Sequence, residues 1–273
     1  MRQAIRHSFP ILSVPYWLWP NLLSLDAPTI AVIWQLSIAE TTNLPINTGA
    51  SGVLFLSVWL TYAADRLFDA RKHPLEVLQT ARHKWAKRNH VILWRIWFFV
   101  LFLNVLLAVL FLESWQLKQG IWLLSASLLY TLLNQTMSQY WFPKEAFVGV
   151  IFSAGVLIFL PITQLLDYLV VNSTVFFANC LIISYKDKSV SESLGERSVY
   201  TLRAQYMGCI LLTCFALNLI FFSTNQKLIL PTTVTLLLIG GLFRCRERCT
   251  GETYHLFADL CLLPAPLMVL FLG

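Results

Sequence analysis

The sequence predicts an all-α, polytopic membrane protein: about nine spans in one membrane-embedded domain over residues 1–273. Three observations predict it. Hydrophobic residues make up 57% of the chain and charged residues only 12%, with a mean hydropathy of +0.65. A soluble domain carries about twice that charged fraction, so lipid must cover much of this surface. Apolar runs of spanning length recur along the chain and leave little sequence for loops. The basic residues, finally, fall in every other connection between the runs, which puts nearly all of them on one side.

A spanning helix needs roughly 20 mainly apolar residues, and irregular backbone cannot face lipid. That length places spans at 21–41, 49–66, 92–112, 118–137, 145–166, 169–185, 206–223, 228–243 and 255–272. The apolar run is fullest in the third and fifth, and short in the sixth and eighth. Residues 1–20 precede them. There Arg2 and Arg6 lead into Phe9–Trp19, which Pro10, Pro15 and Pro20 interrupt and which lacks a small-residue cleavage site. An interfacial segment is expected rather than a cleaved signal, since Trp and Tyr favour the headgroup region.

Orientation follows from the lysines and arginines. Arg2 and Arg6 precede the first span. Arg66, Arg71, Lys72, Arg82, Lys84, Lys87, Arg88 and Arg95 surround the connection between the second and third. Lys144 precedes the fifth; Lys186, Lys188, Arg197 and Arg203 follow the sixth; Arg244, Arg246 and Arg248 follow the eighth. These are 18 of the 20, and only Lys118 and Lys227 lie opposite. The positive-inside rule places the N-terminus in the cytoplasm and the C-terminus outside, in the cell (inner) membrane. The net charge of +6 is therefore topological, and nucleic acid is not an expected partner because the charge follows no recognition element. Of the six cysteines, Cys180, Cys209, Cys214 and Cys261 fall in spans, and Cys245 and Cys249 form one C-x3-C without a second pair, a poor zinc pattern.

Ionisable groups within spans are functional candidates. Asp26, Asp65, Asp69, Asp187 and Asp259 all fall toward the cytoplasmic ends of their helices, with Asn179 about two turns deeper than Asp187. This gathering on one side predicts a polar cavity facing the cytoplasm. Glu40 and Asp167 sit at the opposite surface, and His83, His90 and His255 are expected at solvated cytoplasmic positions. Asp65 and Asp69, four apart, place two carboxylates on one helix face about 6 Å apart at Cβ. Such a pair repels unless a cation bridges it, and oxygen-only ligands suit Mg²⁺ together with substrate phosphates. Arg66, Arg71 and Lys72 stand beside the pair for phosphate oxygens; alternatively, Arg66 and Arg71 pair with the aspartates at a solvated helix end.

The segment Thr61-Tyr62-Ala63-Ala64-Asp65-Arg66-Leu67-Phe68-Asp69 resembles the N-D-x-x-D-x-x-x-D motif of the UbiA prenyltransferase superfamily, matching its last two aspartates. After the sixth span, Asn179 and Asp187 stand at the first and last positions of a related motif, whose inner acidic positions are Cys180 and Ile183. Thr61 and Asn179, like Asp69 and Asp187, are 118 residues apart, the spacing a duplicated four-helix unit would produce. Tyr130, Lys144 and Gly149 match the family's region between spans four and five. The resemblance covers the architecture of nearly the whole chain but only a handful of motif residues.

The resemblance implies a prenyl diphosphate in the helical cavity, Mg²⁺-assisted ionisation, and transfer to an aromatic or other lipophilic acceptor. It assigns Mg²⁺ and catalysis to Asp65, Asp69 and Asp187. Substrate binding falls to Asn179, Arg66, Arg71, Lys72, Arg82, Lys186, Lys188 and Tyr130, and membrane lipid surrounds the whole. The departures are Thr61 and Tyr62 in the first motif and Cys180 and Ile183 in the second; losing acidic ligands weakens Mg²⁺ binding. Two alternatives stand beside transfer: a UbiA-like protein that binds an isoprenoid lipid without chemistry, and a transporter with Asp26, Asp65, Asp69 and Asp259 along a cation path.

Overall fold

The apolar runs fold as helices, and among the described residues no strand occurs. The computed structural model describes residues 15–72, 81–137, 140, 142–161, 165–193, 204–220 and 226–272. Most of the expected interfacial segment, with Arg2 and Arg6, lies outside them, as do Arg197 and Arg203. Among the described residues thirteen α-helices follow one another: α1 (Trp19–Leu22), α2 (Asp26–Thr42), α3 (Thr48–Lys72), α4 (Ala81–Arg88), α5 (His90–Phe111), α6 (Ser114–Met137), α7 (Lys144–Leu157), α8 (Leu165–Lys186), α9 (Lys188–Ser193), α10 (Ala204–Ile220), α11 (Gln226–Arg244), α12 (Gly251–Cys261) and α13 (Pro264–Leu272).

Each expected span overlaps a helix or, near the two ends of the chain, a broken pair, but the fifth and seventh run past the ends of the helices they overlap, α7 and α10. Three segments are long and apolar enough to cross a membrane: His90–Phe111, Leu166–Lys186 and Gly251–Phe271. A fourth joins them if the segments Tyr16–Leu22 and Asp26–Thr42, bent by 80°, count as one span. The fifth apolar run, among the fullest in the sequence, stays helical for only 14 residues. It turns ahead of Pro161, because a proline disfavours helical backbone in the residue before it. The sixth, short by composition, is a 22-residue helix with Asp167 in its first turn and Lys186 in its last, both favourable to the helix dipole.

Both breaks have identifiable causes. Between α1 and α2 the chain passes through Ser24 in the left-handed region (φ 58°). Asn21 Nδ2 then donates to Asp26 Oδ2 at 2.7 Å, and Asp26 Oδ1 accepts the Ala27 N–H at 2.9 Å, which fixes the start of α2. From α3, Arg66 donates to the carbonyls of Asn21 and Leu22. Between α12 and α13, Pro264 and Pro266 remove the N–H groups that would reach the carbonyls of Leu260 and Leu262. Leu263 N–H takes the first at 3.2 Å, and Trp34 Nε1 takes the second at 2.9 Å.

Helix α2 lies at the centre, packed against α3, α7, α11, α12 and α13. Its Trp34 is 1% exposed and meets Phe176 of α8 edge-on at 5.3 Å. The most extensive pairing joins α7 and α8. There Gly149 admits the partner backbone, since a Cβ at this position would stand 2.8 Å from Phe177 N. Helix α5 packs chiefly on α3, through Asn104 Nδ2 to Ser57 Oγ and Trp97 Nε1 to the Leu60 carbonyl, each 2.9 Å. Its other face carries Phe98, Phe99 and Phe102, the last 69% exposed, a surface that only an apolar medium can cover.

Candidate functional site

One end of the bundle gathers the starts of α2, α7 and α12 and the ends of α3, α6 and α8. A cavity of about 230 Å³ opens there. Its lining mixes two kinds of residue. The apolar ones are Ala27 and Ile30 of α2, Val148 and Phe152 of α7, Phe176 and Ile183 of α8, and Leu262. Phe152 meets Phe176 at 4.6 Å and Tyr62 at 6.5 Å, a ladder of three rings. The polar ones are Asn21, Asp26, Arg66, Arg82, Lys144, Glu145, Asn179, His255 and Asp259, joined by Tyr62, Tyr130, Cys180 and Ser184. An amphipathic wall of this kind fits a ligand with an ionic head and an apolar body.

Four of the residues assigned to substrate binding line this cavity: Arg66, Arg82, Tyr130 and Asn179. Arg71, Lys186 and Lys188 do not. Arg71 is exposed; Lys72 closes α3, and its side chain lies outside the described residues. Lys186 donates to the Arg246 carbonyl at 2.8 Å and lies over the Tyr254 ring, while Lys188 reaches Glu192 at 3.9 Å.

The three carboxylates assigned to Mg²⁺ stand outside the cavity lining. Asp65 is exposed on α3. Asp69 Oδ2 lies 3.6 Å from His83 Nε2. Asp187 Oδ2 lies 2.9 Å from His255 Nε2 and 3.9 Å from Arg82 Nη2. Among the described residues no group of three His, Cys, Asp or Glu comes together to hold a metal. As placed, these three carboxylates do not fit a shared Mg²⁺ site, because two are engaged by side chains of other helices.

Those contacts make a clasp of α4. Arg82 reaches Asp187 after α8, His83 reaches Asp69 of α3, and the Ala81 N–H donates to Glu252 Oε1 of α12 at 3.1 Å. The short helix thereby holds Arg82 at the cavity, although among the described residues its buried Nε has no hydrogen-bond partner. Burial pushes the His83 imidazole below its ordinary pKa of 6.5, against the pull of its Asp69 hydrogen bond and with the adjacent Arg82 charge adding to the depression. His83 is therefore neutral at pH 7.

His255 departs most from the expectation of a solvated position, being 5% exposed and part of the cavity wall. Sequence reasoning assigned neither His255 nor Asn21 nor Glu145 to the site. The available signal was the spacing of His255, Asp259 and Leu262, which puts all three on one face of a helix entering the membrane. Comparison of the chain with protein-family models, curated proteins and solved structures finds no match.

Proposed function

We propose that the chain is a nine-span membrane protein of UbiA-like architecture, N-terminus in the cytoplasm, that binds a prenyl diphosphate in this cavity and transfers its prenyl group to an aromatic or other lipophilic acceptor. One observation carries the reading. The inward positions of both motif segments, Tyr62 and Arg66 on α3 and Asn179, Cys180 and Ile183 on α8, meet at one cavity together with Tyr130 and Lys144. Motif resemblances far apart in sequence have no reason to converge unless the segments share a site.

In the reaction the allylic C–O bond breaks, and its electron pair leaves on the diphosphate oxygen. The allylic cation is captured by an electron-rich atom of the acceptor, which then loses a proton. Arg66, Arg82 and Lys144 would face the charge developing on the leaving group, where a low-dielectric wall makes fixed cations most effective. The faces of Tyr62, Phe152 and Phe176 would stabilise the allylic cation through their ring quadrupoles and bed the prenyl chain. A second reading, isoprenoid-lipid binding without transfer, draws on the occupants of the inner acidic positions, Tyr62, Cys180 and Ile183, none of which carries a carboxylate.

The test is labelled prenyl diphosphate with the purified chain in detergent, scored for binding and for diphosphate release against a panel of aromatic acceptors. Loss of one charge-assisted contact to a phosphate is worth about 1.5–3 kcal/mol, so Arg82→Gln or Lys144→Gln weakens binding about tenfold or more. Release that depends on acceptor supports transfer. Binding without release supports the second reading, and no binding overturns both.

A further inference from the structure

We propose that the start of α5 holds the phosphate of an anionic phospholipid in the leaflet at the cavity end of the bundle, with Arg95 as its main contact and Arg88 as its second. Arg95 is the observation that points to a lipid. Helix α5 is long and apolar enough to cross a membrane, and only 6% of its apolar stretch is buried. Arg95 stands on it five residues after His90, about 7.5 Å along the axis at 1.5 Å per residue. Its side chain is exposed, and so are Val91, Ile92, Ile96 and Phe99 around it. Residues three and four apart share a helix face, so this cation sits in an apolar stripe that faces outward.

A guanidinium beside lipid chains is costly unless its head reaches the interface and meets an anion there. The protein supplies none. Among the described residues no ion pair involves Arg95, and the chain from Ala81 to Leu112 contains no Asp or Glu. That stretch instead carries Arg82, Lys84, Lys87 and Arg88 just ahead of α5. Basic residues clustered immediately beside a spanning helix attract anionic headgroups. Arg82 is taken by the cavity and Asp187, whereas Lys84 and Arg88 are exposed. Arg88 closes α4 with only Asn89 before α5, three and four residues ahead of Val91 and Ile92. Aromatic rings mark the level of the interface: Trp94 meets Phe68 at 5.8 Å and Trp97 at 5.6 Å.

The chemistry selects the ligand. A phosphate takes two parallel N–H bonds from one guanidinium, a geometry that suits Arg95 and Arg88. Val91, Ile92 and Ile96 decide where the phosphate comes from, since they offer acyl chains a surface that a soluble phosphate ion would leave bare. A zwitterionic headgroup brings its own cation into competition with both arginines, so a lipid of net negative charge is preferred. The surface lies apart from the cavity, and the inference stands whether or not a prenyl diphosphate binds there.

Native mass spectrometry can count the phospholipids retained by the delipidated full chain in detergent, titrated with phosphatidylglycerol or with phosphatidylcholine of the same acyl chains. One phosphatidylglycerol held in preference to phosphatidylcholine is expected. Arg95→Gln lowers its affinity about fivefold, the worth of one basic contact to an anionic headgroup, and adding Arg88→Gln lowers it further. Arg95→Lys keeps the charge and most of the affinity. Lys118→Gln removes one exposed charge at the opposite end of the bundle and leaves the affinity unchanged. Should Arg95→Gln not fold, Arg88→Gln alone decides, with a loss expected there too. Equal retention of the two lipids, wild-type affinity in both arginine variants, an equal loss in Lys118→Gln, or displacement of the lipid by inorganic phosphate would each overturn the site.

Discussion

Pro266 cannot donate to the carbonyl of Leu262, and within a membrane that carbonyl has no water to turn to. Trp34, on α2, supplies the missing donor at 2.9 Å and anchors the apolar core with the same ring. The two roles separate in Trp34→Phe, which keeps most of the volume and loses the N–H. The expected loss is about 1–2 kcal/mol, the range for a polar contact between helices in lipid, read as a lower midpoint in detergent denaturation. His83 provides a second test at this scale. Because the fold holds its pKa below 6.5, the unfolded chain takes up the proton first as pH falls. Its contribution to stability is constant above about pH 6.5 and is lost progressively below it. Relative to the wild type, His83→Gln should show a shallower fall in Tm between about pH 6.5 and 5 and no difference at pH 8.

At the scale of elements, composition located the helices because span length and apolarity are local properties of a chain in lipid. The breaks were half legible. Pro264, Pro266 and Pro161 mark sites where helical hydrogen bonds fail, but nothing local says that Trp34 repairs one or that α7 stops before Pro161. The site was legible in its motif positions on α3 and α8 and in the clustering of polar groups at one end of the spans. Its membership was not. Asp65 and Asp69 belong to the best motif match, yet Tyr62 and Arg66 of that segment face the cavity. Which face of a helix turns inward depends on packing partners distant in sequence. Asp26 and Asp259, near opposite ends of the chain, come together only because α2 and α12 pack. The tightest packing constraint is Gly149 on α7, where any Cβ meets the backbone of Phe177. Gly149→Leu should force α7 from α8 and lower stability by about 1–3 kcal/mol or more, with loss of monodisperse protein on size-exclusion chromatography.

The whole molecule joins a lipid-compatible exterior to an interior whose buried acidic and basic residues, Arg66, Glu145 and His255 among those described, gather at one end. Neutral polar residues such as Gln35, Asn104, Asn172 and Asn218 are buried elsewhere. Helix α5 presents phenylalanines outward, and the core around Trp34 is apolar. The cavity then combines an aromatic ladder with cations and carboxylates drawn from five helices, an amphipathic interior matching a ligand that is itself part lipid and part anion. Clasped by α4, Arg82 stands where the anionic head would lie. The most direct measurement is photocrosslinking of the full chain with a prenyl diphosphate bearing a photoreactive group on its prenyl chain, mapped by peptide mass spectrometry. The account predicts labelling of segments holding Tyr62, Phe152 and Phe176, competed by unlabelled prenyl diphosphate and reduced in Arg82→Gln. Uncompeted labelling confined to the outward face of α5 would mean that the prenyl chain partitions with lipid and never enters the cavity, which contradicts it.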